Sequence, residues 1–193
     1  LGNNKSSVSG SYIVLVGIGA FSLAVFFSVV SELLVRGLSS ATAFLILLMM
    51  ILIGISFDIF GTAVTAANET PFHAMAAKRV LGAQQSVMLL RNADRVANIS
   101  LDVVGDIAGT VSGALGISIV AQIIMENPHW DIFILNVLVT ASVASLTISG
   151  KALGKKFALR NANTIVFFVG KNIARVEKSI GRDPYRKRRR PKE

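Results

Sequence analysis

The sequence predicts an all-α integral membrane protein, and three observations carry that prediction. Mean hydropathy is +0.61 with 52% apolar residues, too greasy for a water-soluble domain. The apolar residues stand in long unbroken blocks, without the period-two alternation of strands or a heptad seam. Acidic residues interrupt those blocks at Asp58, Asp102 and Asp106, where each carboxylate costs about 2.5–3.5 kcal/mol on insertion scales.

Four blocks are long enough to cross about 30 Å of hydrocarbon at about 1.5 Å per residue. They are residues 12–31, 43–67, 96–125 and 131–150. The first follows Lys5 in the manner of a signal-peptide core. It exceeds the usual apolar core of about 7–15 residues and lacks a small-residue cleavage site, so it reads as a span. The second is the least ambiguous, because residues 44–53 are all Phe, Leu, Ile or Met.

Between the second and third blocks, Asn68 or Thr70 is placed to cap a helix with Pro71 in its first turn, and Gly82 divides two helical pieces. Val87, Leu90 and Asp94 keep helical spacing beside basic residues, the pattern of a hairpin lying on a membrane surface. After the fourth block, apolar residues 165–169 with Ile173, Val176 and Ile180 alternate with Lys171, Arg175 and Lys178. This predicts a second basic amphipathic helix. The tail ends in a disordered polybasic run, Arg186, Lys187, Arg188, Arg189 and Arg190, between Pro184 and Pro191. Each such basic residue adds about 1 kcal/mol of attraction to anionic lipid.

Three segments follow: residues 1–42 with an additional transmembrane helix, residues 43–180 as the main transmembrane domain, and residues 181–193 as the tail. Residues 68–95 carry Lys78, Arg79, Arg91 and Arg95, whereas residues 126–131 carry no Lys or Arg. The positive-inside rule then places both termini in the cytoplasm, in a plasma-membrane protein with Tyr12 and Trp130 near opposite interfaces. The formal charge of +9 suits anionic headgroups as partners, and no nucleic acid is expected. The chain has no cysteine, which excludes disulfides, thiolate metal sites and thiol catalysis. His73 and His129 stand apart and no nucleophile elbow or phosphate loop is present, so an enzyme is not expected.

Asn98, Asp102 and Asp106 recur at i, i+4 and i+8, which in an α-helix puts them on one face. With that helix starting near Val96, Asp102 lies about 9 Å and Asp106 about 15 Å inside, and Asp58 about 13 Å inside its own helix. The three acids are therefore expected to line an ion path. Hydroxyls of the fourth block and the backbone supply further oxygen, with Asn98, Ser145, Ser149 and Gly150 as assisting ligands. Oxygen ligands suit magnesium or calcium rather than zinc or copper. Lys151 is the internal counter-ion that would instead neutralise the acids. Gly105, Gly109 and Gly113 form a ridge on an adjoining face, expected to serve close helix packing.

Gly82-Ala83, Val87 to Leu90 and Asn92 to Arg95 together resemble a stretch of the CorC and cyclin-M magnesium transporter family, in which Gly-Ala precedes Leu-Leu-Glu-Asn-Pro-Asp-Arg. Gly150 to Lys155, then Ala158 to Asn161, resembles that family's Gly-Glu-x-x-Pro-Lys and Ala-x-Arg-Asn elements. The resemblance runs over residues 44–180. It implies a three-helix transport unit with a membrane-surface hairpin, usually a homodimer or membrane complex, that moves dehydrated magnesium between helices; paired CBS domains often follow in that family. Two elements depart from it. Phe60 to Ala63 stands where Ser-Glu-Thr-Ala is expected, and Lys151 replaces the Glu of the later element. The second exchange alters local charge by two units, where a contact at 4 Å is worth about 4 kcal/mol at an effective dielectric of 20. The expected function is transport-related handling of a divalent cation, with an altered ion site. The alternative is a non-transporting adaptor that binds a protein or anionic lipid through its basic surface.

Overall fold

The computed structural model describes residues 10–35 and 39–180, and every regular element among them is helical. In order these are α1 (Gly10–Val35), α2 (Ser40–Ala66), α3 (Thr70–Ala77), α4 (Ala83–Arg91), α5 (Ala93–Asn98), a π-helical segment (Ile99–Val104), α6 (Gly105–Glu126), α7 (Ile132–Arg160) and α8 (Ala162–Ser179). The polybasic residues Arg186 to Arg190 and the side chain of Tyr12 lie outside the described residues.

Three continuous helical stretches are long and apolar enough to cross a membrane: Ser40–Ala66, Ala93–Glu126 and Ile132–Arg160. The first expected span, residues 12–31, falls in α1, where the described apolar stretch is the shorter Val14–Val30, so a fourth span is not shown among the described residues. The last long helix also runs ten residues beyond its expected end at Gly150, through Lys151, Lys155 and Lys156. Those lysines interrupt the hydropathy and not the helix, because Lys is a good helix former and no proline intervenes.

The chain forms two compact units that interleave in sequence. The first comprises residues up to Ile55 together with Val103–Gly150. Its core is a row from α6 and its π-helical lead-in, Val103, Ile107, Val111, Leu115 and Ile119, set against Leu47, Met50 and Ile51 of α2 and Val143 of α7. Four-residue spacing stacks such side chains along one helix face. Val16, Ala20, Ala24 and Phe27 of α1 pack on the same cluster. At the end of this unit Ser40 Oγ donates to Glu126 at 3.2 Å, tying the start of α2 to the end of α6.

The second unit comprises Ser56–Asp102 and Lys151 onward. Its core joins Ala63 and Val64 of α2, Phe72 of α3, Val87 of α4, Ala158 of α7, and Ala162 and Val166 of α8. The expected hairpin is present as α3 and α4. Asn68 Oδ1 accepts from the Thr70 N–H at 3.0 Å, and the Asn68 N–H donates to Asn163 Oδ1 at 2.8 Å. Gly82 turns the chain at φ 94°, a left-handed conformation that favours glycine. It faces the backbone of Lys171, and a Cβ there would stand 2.5 Å from the Lys171 Cα.

The expected amphipathic helix is α8, and its buried residues are Ala162, Val166, Gly170 and Ala174. This ridge of mostly small residues lets α4 approach so closely that Ser86 is fully buried, with its hydroxyl directed at the Gly82 carbonyl at 2.9 Å. The packing expected along Gly105, Gly109 and Gly113 is only partly made within the chain. Gly105 is buried with its carbonyl toward Gly54, but a Cβ on Gly109 or Gly113 would meet nothing within 4 Å among the described residues. Close approach instead falls at Gly54 against Ala108, Gly61 against Leu101, and Gly82 and Gly170 between α4 and α8.

Large apolar side chains cover the outside, including Phe21, Phe44, Phe133, Ile148 and Leu153. Of the apolar window of Ile132–Arg160 only 6% is buried, against 44% for Ala93–Glu126. A water-soluble monomer does not leave so much contiguous apolar surface uncovered. Helices with every backbone group bonded internally and apolar side chains outward are the form that hydrocarbon permits. The molecule is a multi-pass membrane protein in this sense.

Candidate ion-pair site at Asp58 and Lys151

Asp58 stands eight residues before the end of α2, one turn before Gly61, and is 3% exposed. Lys151, on the part of α7 that belongs to the same unit, brings its Nζ to 4.0 Å from Asp58 Oδ1. Of the three acids singled out in the sequence, Asp58 is the one with a described contact to Lys151. Asp58 Oδ2 is buried and has no hydrogen-bond partner among the described residues. A carboxylate taken out of water with one oxygen loosely paired and the other unsatisfied is a costly arrangement, stabilised fully only by a closer cation, a proton or a donor.

Asp102 is exposed and lies within the π-helical segment. Asn98 Nδ2 donates to its Oδ2 at 2.7 Å, so the expected i, i+4 neighbours do meet. Beyond that pair the expected spacing changes. An i→i+5 segment winds more widely than an α-helix, so Asn98, Asp102 and Asp106 do not follow the uniform face drawn for an uninterrupted helix. Asp106 is exposed in the first turn of α6, in the other unit, and its carbonyl accepts from Thr110 Oγ1 at 2.9 Å. Among the described residues no group of three His, Asp or Glu side chains is gathered to hold a metal ion.

The assisting ligands are also dispersed. Ser145 and Ser149 are exposed on α7. The neighbouring hydroxyls of Ser142 and Thr147 donate to carbonyls of their own helix at 2.7 and 2.8 Å. Gly150 faces Ile55, whose side chain would collide with a Cβ there.

Two structural features escaped the sequence reading. The π-helical segment is one, since such turns occur frequently at functional sites. It seats against α2 at Gly61, where an added Cβ would lie 2.7 Å from Leu101 Cγ and 3.1 Å from Ser100 Cβ. The other is Glu32, one residue beyond the first apolar block, whose carboxylate accepts from Ser118 Oγ at 3.1 Å. The signal available for it was an acidic residue inside an apolar context, the same signal that singled out Asp58.

Outside the spans, Glu69 accepts from Arg91 Nε at 3.0 Å and pairs with His73 Nε2 at 2.8 Å. The Arg91 hydrogen bond first, then that of His73, holds its carboxyl below the ordinary value of 4.5. This cluster joins α3 to α4 on an exposed face and is structural in character.

Comparison with family models, with curated proteins and with solved structures finds no match for this chain.

Proposed function

We propose that this chain is a cation-transport-related membrane protein of the CorC and cyclin-M type, in which the Lys151 ammonium takes a cation's place beside Asp58. The observation that carries this reading is the buried Asp58 carboxylate with Lys151 Nζ at 4.0 Å and an unsatisfied second oxygen. The departure of Gly150-Lys151 from the family's Gly-Glu falls at this pair. In the proposed arrangement α1 is a fourth pass, both termini are cytoplasmic, and the protein works as a homodimer in the plasma membrane. Magnesium is the expected cargo. It takes octahedral oxygen ligands and keeps several waters, so it needs Lys151 to withdraw before it can reach Asp58.

The test is thermal stability of purified protein across a magnesium titration. Lys151→Met is expected to gain magnesium-dependent stabilisation that Lys151→Met/Asp58→Asn lacks. Asp106→Asn in the Lys151→Met background reports whether Asp106 shares the path. No magnesium response in any form would overturn the reading.

The same pair favours a second reading, a sealed relative acting as an adaptor, because Lys151 already neutralises Asp58. Under it, deleting residues 184–193 abolishes binding of anionic lipid or a protein partner, and Asp58→Asn leaves that binding unchanged.

A further inference from the structure

The second unit holds an end of each of the three long helical stretches, with α3, α4 and α8 beyond them. The Asn68 N–H donates to Asn163 Oδ1 at 2.8 Å, which fixes the start of α8 beside the end of α2. α8 therefore begins where the membrane-spanning stretches stop. Its 18 residues make a helix about 27 Å long, and its sides differ in chemistry. One side is the ridge of Ala162, Val166, Gly170 and Ala174, buried inside the unit. The large apolar residues Phe168, Val176 and Ile180 take no part in that contact and are 65%, 58% and 71% exposed. Their spacing of eight and four keeps them on a second side. Lys171, Arg175 and Lys178, spaced by four and three, fall on a third, about a third of a turn from the apolar one. Arg175 Nη1 donates to Asn172 Oδ1 at 3.2 Å within the helix. Glu177, the acid of α8, accepts from Gln85 Nε2 at 2.6 Å. Among the described residues no carboxylate pairs with the three cations of α8. The turn that carries Lys78 and Arg79, both exposed, meets α8 at Lys171 through Gly82 and adds two more cations beside it.

We propose that α8 is an interfacial seat for anionic phospholipid: Phe168, Val176 and Ile180 enter the boundary between headgroups and acyl chains, and Lys171, Arg175 and Lys178 hold the phosphates beside it. Charge complementarity selects the occupant. A helix with one apolar and one basic side, set at the ends of the membrane spans, is the form that lies in the plane of an anionic surface. The long stems of Lys and Arg let the charged heads reach the phosphates while the apolar side stays in the lipid. A second copy in an isologous pairing would bring the same cations against this face, and their repulsion disfavours it. A zwitterionic surface matches the apolar side and leaves the cations without counter-charge. This seat is separate from Asp58 and lies outside residues 184–193, so it stands independently of both readings above.

The test is fluorescence quenching with the full chain in nanodiscs of mixed phosphatidylglycerol and phosphatidylcholine. The chain has no cysteine, so Val176→Cys carries a single fluorophore. Bromines on the acyl chains of one lipid or the other, close to the carbonyl, report which lipid lies beside it. Brominated phosphatidylglycerol is expected to be enriched at the label about fivefold over brominated phosphatidylcholine, the scale of one basic residue at an anionic surface. Arg175→Gln/Lys178→Gln is expected to equalise the two lipids while both still quench. Deletion of residues 184–193 is expected to leave the preference in place. No quenching by either lipid shows the face covered by protein and overturns the proposal. So does equal quenching in the labelled parent, a preference that survives Arg175→Gln/Lys178→Gln, or one that disappears with residues 184–193. Should the double variant not fold, salt decides. At about 1 M the screening length is about 3 Å, and the preference of the labelled parent is expected to vanish; a preference that persists there overturns the proposal.

Discussion

Lys151 Nζ lies 4.0 Å from Asp58 Oδ1, joining α7 to α2 through a pair of which the acid is 3% exposed. Removing the ammonium alone strands a buried carboxylate. Lys151→Met is therefore expected to lower stability by about 3 kcal/mol in the absence of divalent cation. The double variant Lys151→Met/Asp58→Asn recovers most of that loss. Thermal or denaturant unfolding in detergent, arranged as a double-mutant cycle, measures the coupling.

Gly82 and Gly170 are where α4 and α8 meet most closely. Gly82→Ala places a Cβ at positive φ against the Lys171 backbone, and Gly170→Ala drives one into Ser86 Oγ. Each substitution is expected to cost about 1–3 kcal/mol. The readout is selective loss of amide-exchange protection in α4 and α8.

A contrast is expected among the membrane glycines. Gly61→Ala forces Leu101 and the π-helical segment to move, because its Cβ would stand 2.7 Å from Leu101 Cγ. Gly113→Ala meets nothing within 4 Å among the described residues and gains helix propensity of about 0.5–1 kcal/mol. In detergent, the first variant melts below wild type and the second at or above it. A Gly113→Ala variant that melts as low as Gly61→Ala contradicts this reading of α6.

Glu69 makes the link between α3 and α4 sensitive to acid. Its folded carboxyl is held below 4.5, chiefly by the Arg91 hydrogen bond. A depressed folded value means that the contribution is fully present above 4.5 and is lost as pH falls through the lowered value. The melting temperature of wild type is expected to fall more than that of Glu69→Gln between about pH 6 and about pH 3. Parallel curves for the two proteins would show that the cluster contributes nothing.

The membrane helices were legible because hydrocarbon demands long apolar blocks, and residues 44–53 meet that demand without exception. The division at Gly82 was legible for an equally local reason, since a glycine between two amphipathic pieces marks a turn. Other features have no local signature. A spacing such as Gly105, Gly109 and Gly113 states that close approach is permitted, whereas which ridge is used depends on what the tertiary fold brings opposite. In this chain the ridge of Ala162, Val166, Gly170 and Ala174 is the one engaged. Nothing in Ile99–Val104 marks a π-helix, and its close approach to Gly61 is a tertiary contact that no local pattern announces. Recurrence of Asp102 and Asp106 assumed uniform α-helical pitch, and the π-helical turn removed that premise. The pairing of Asp58 with Lys151 was foreseen only as an alternative, since charge alone does not choose among three acids.

The contact of Ser86 with the Val166 carbonyl spans 80 residues of chain, and the intervening sequence includes the second of the first unit's two stretches, Val103–Gly150. At about 5–20 residues per second, the ribosome makes α8 on the order of ten seconds after α4. Through that interval Gln85 and Ser86 have been synthesised but their cover has not, so the second unit closes only after α8 has been made. Nascent chains arrested before Gly170 emerges will hold α4 exposed to proteases and chaperones, whereas chains arrested after it will not.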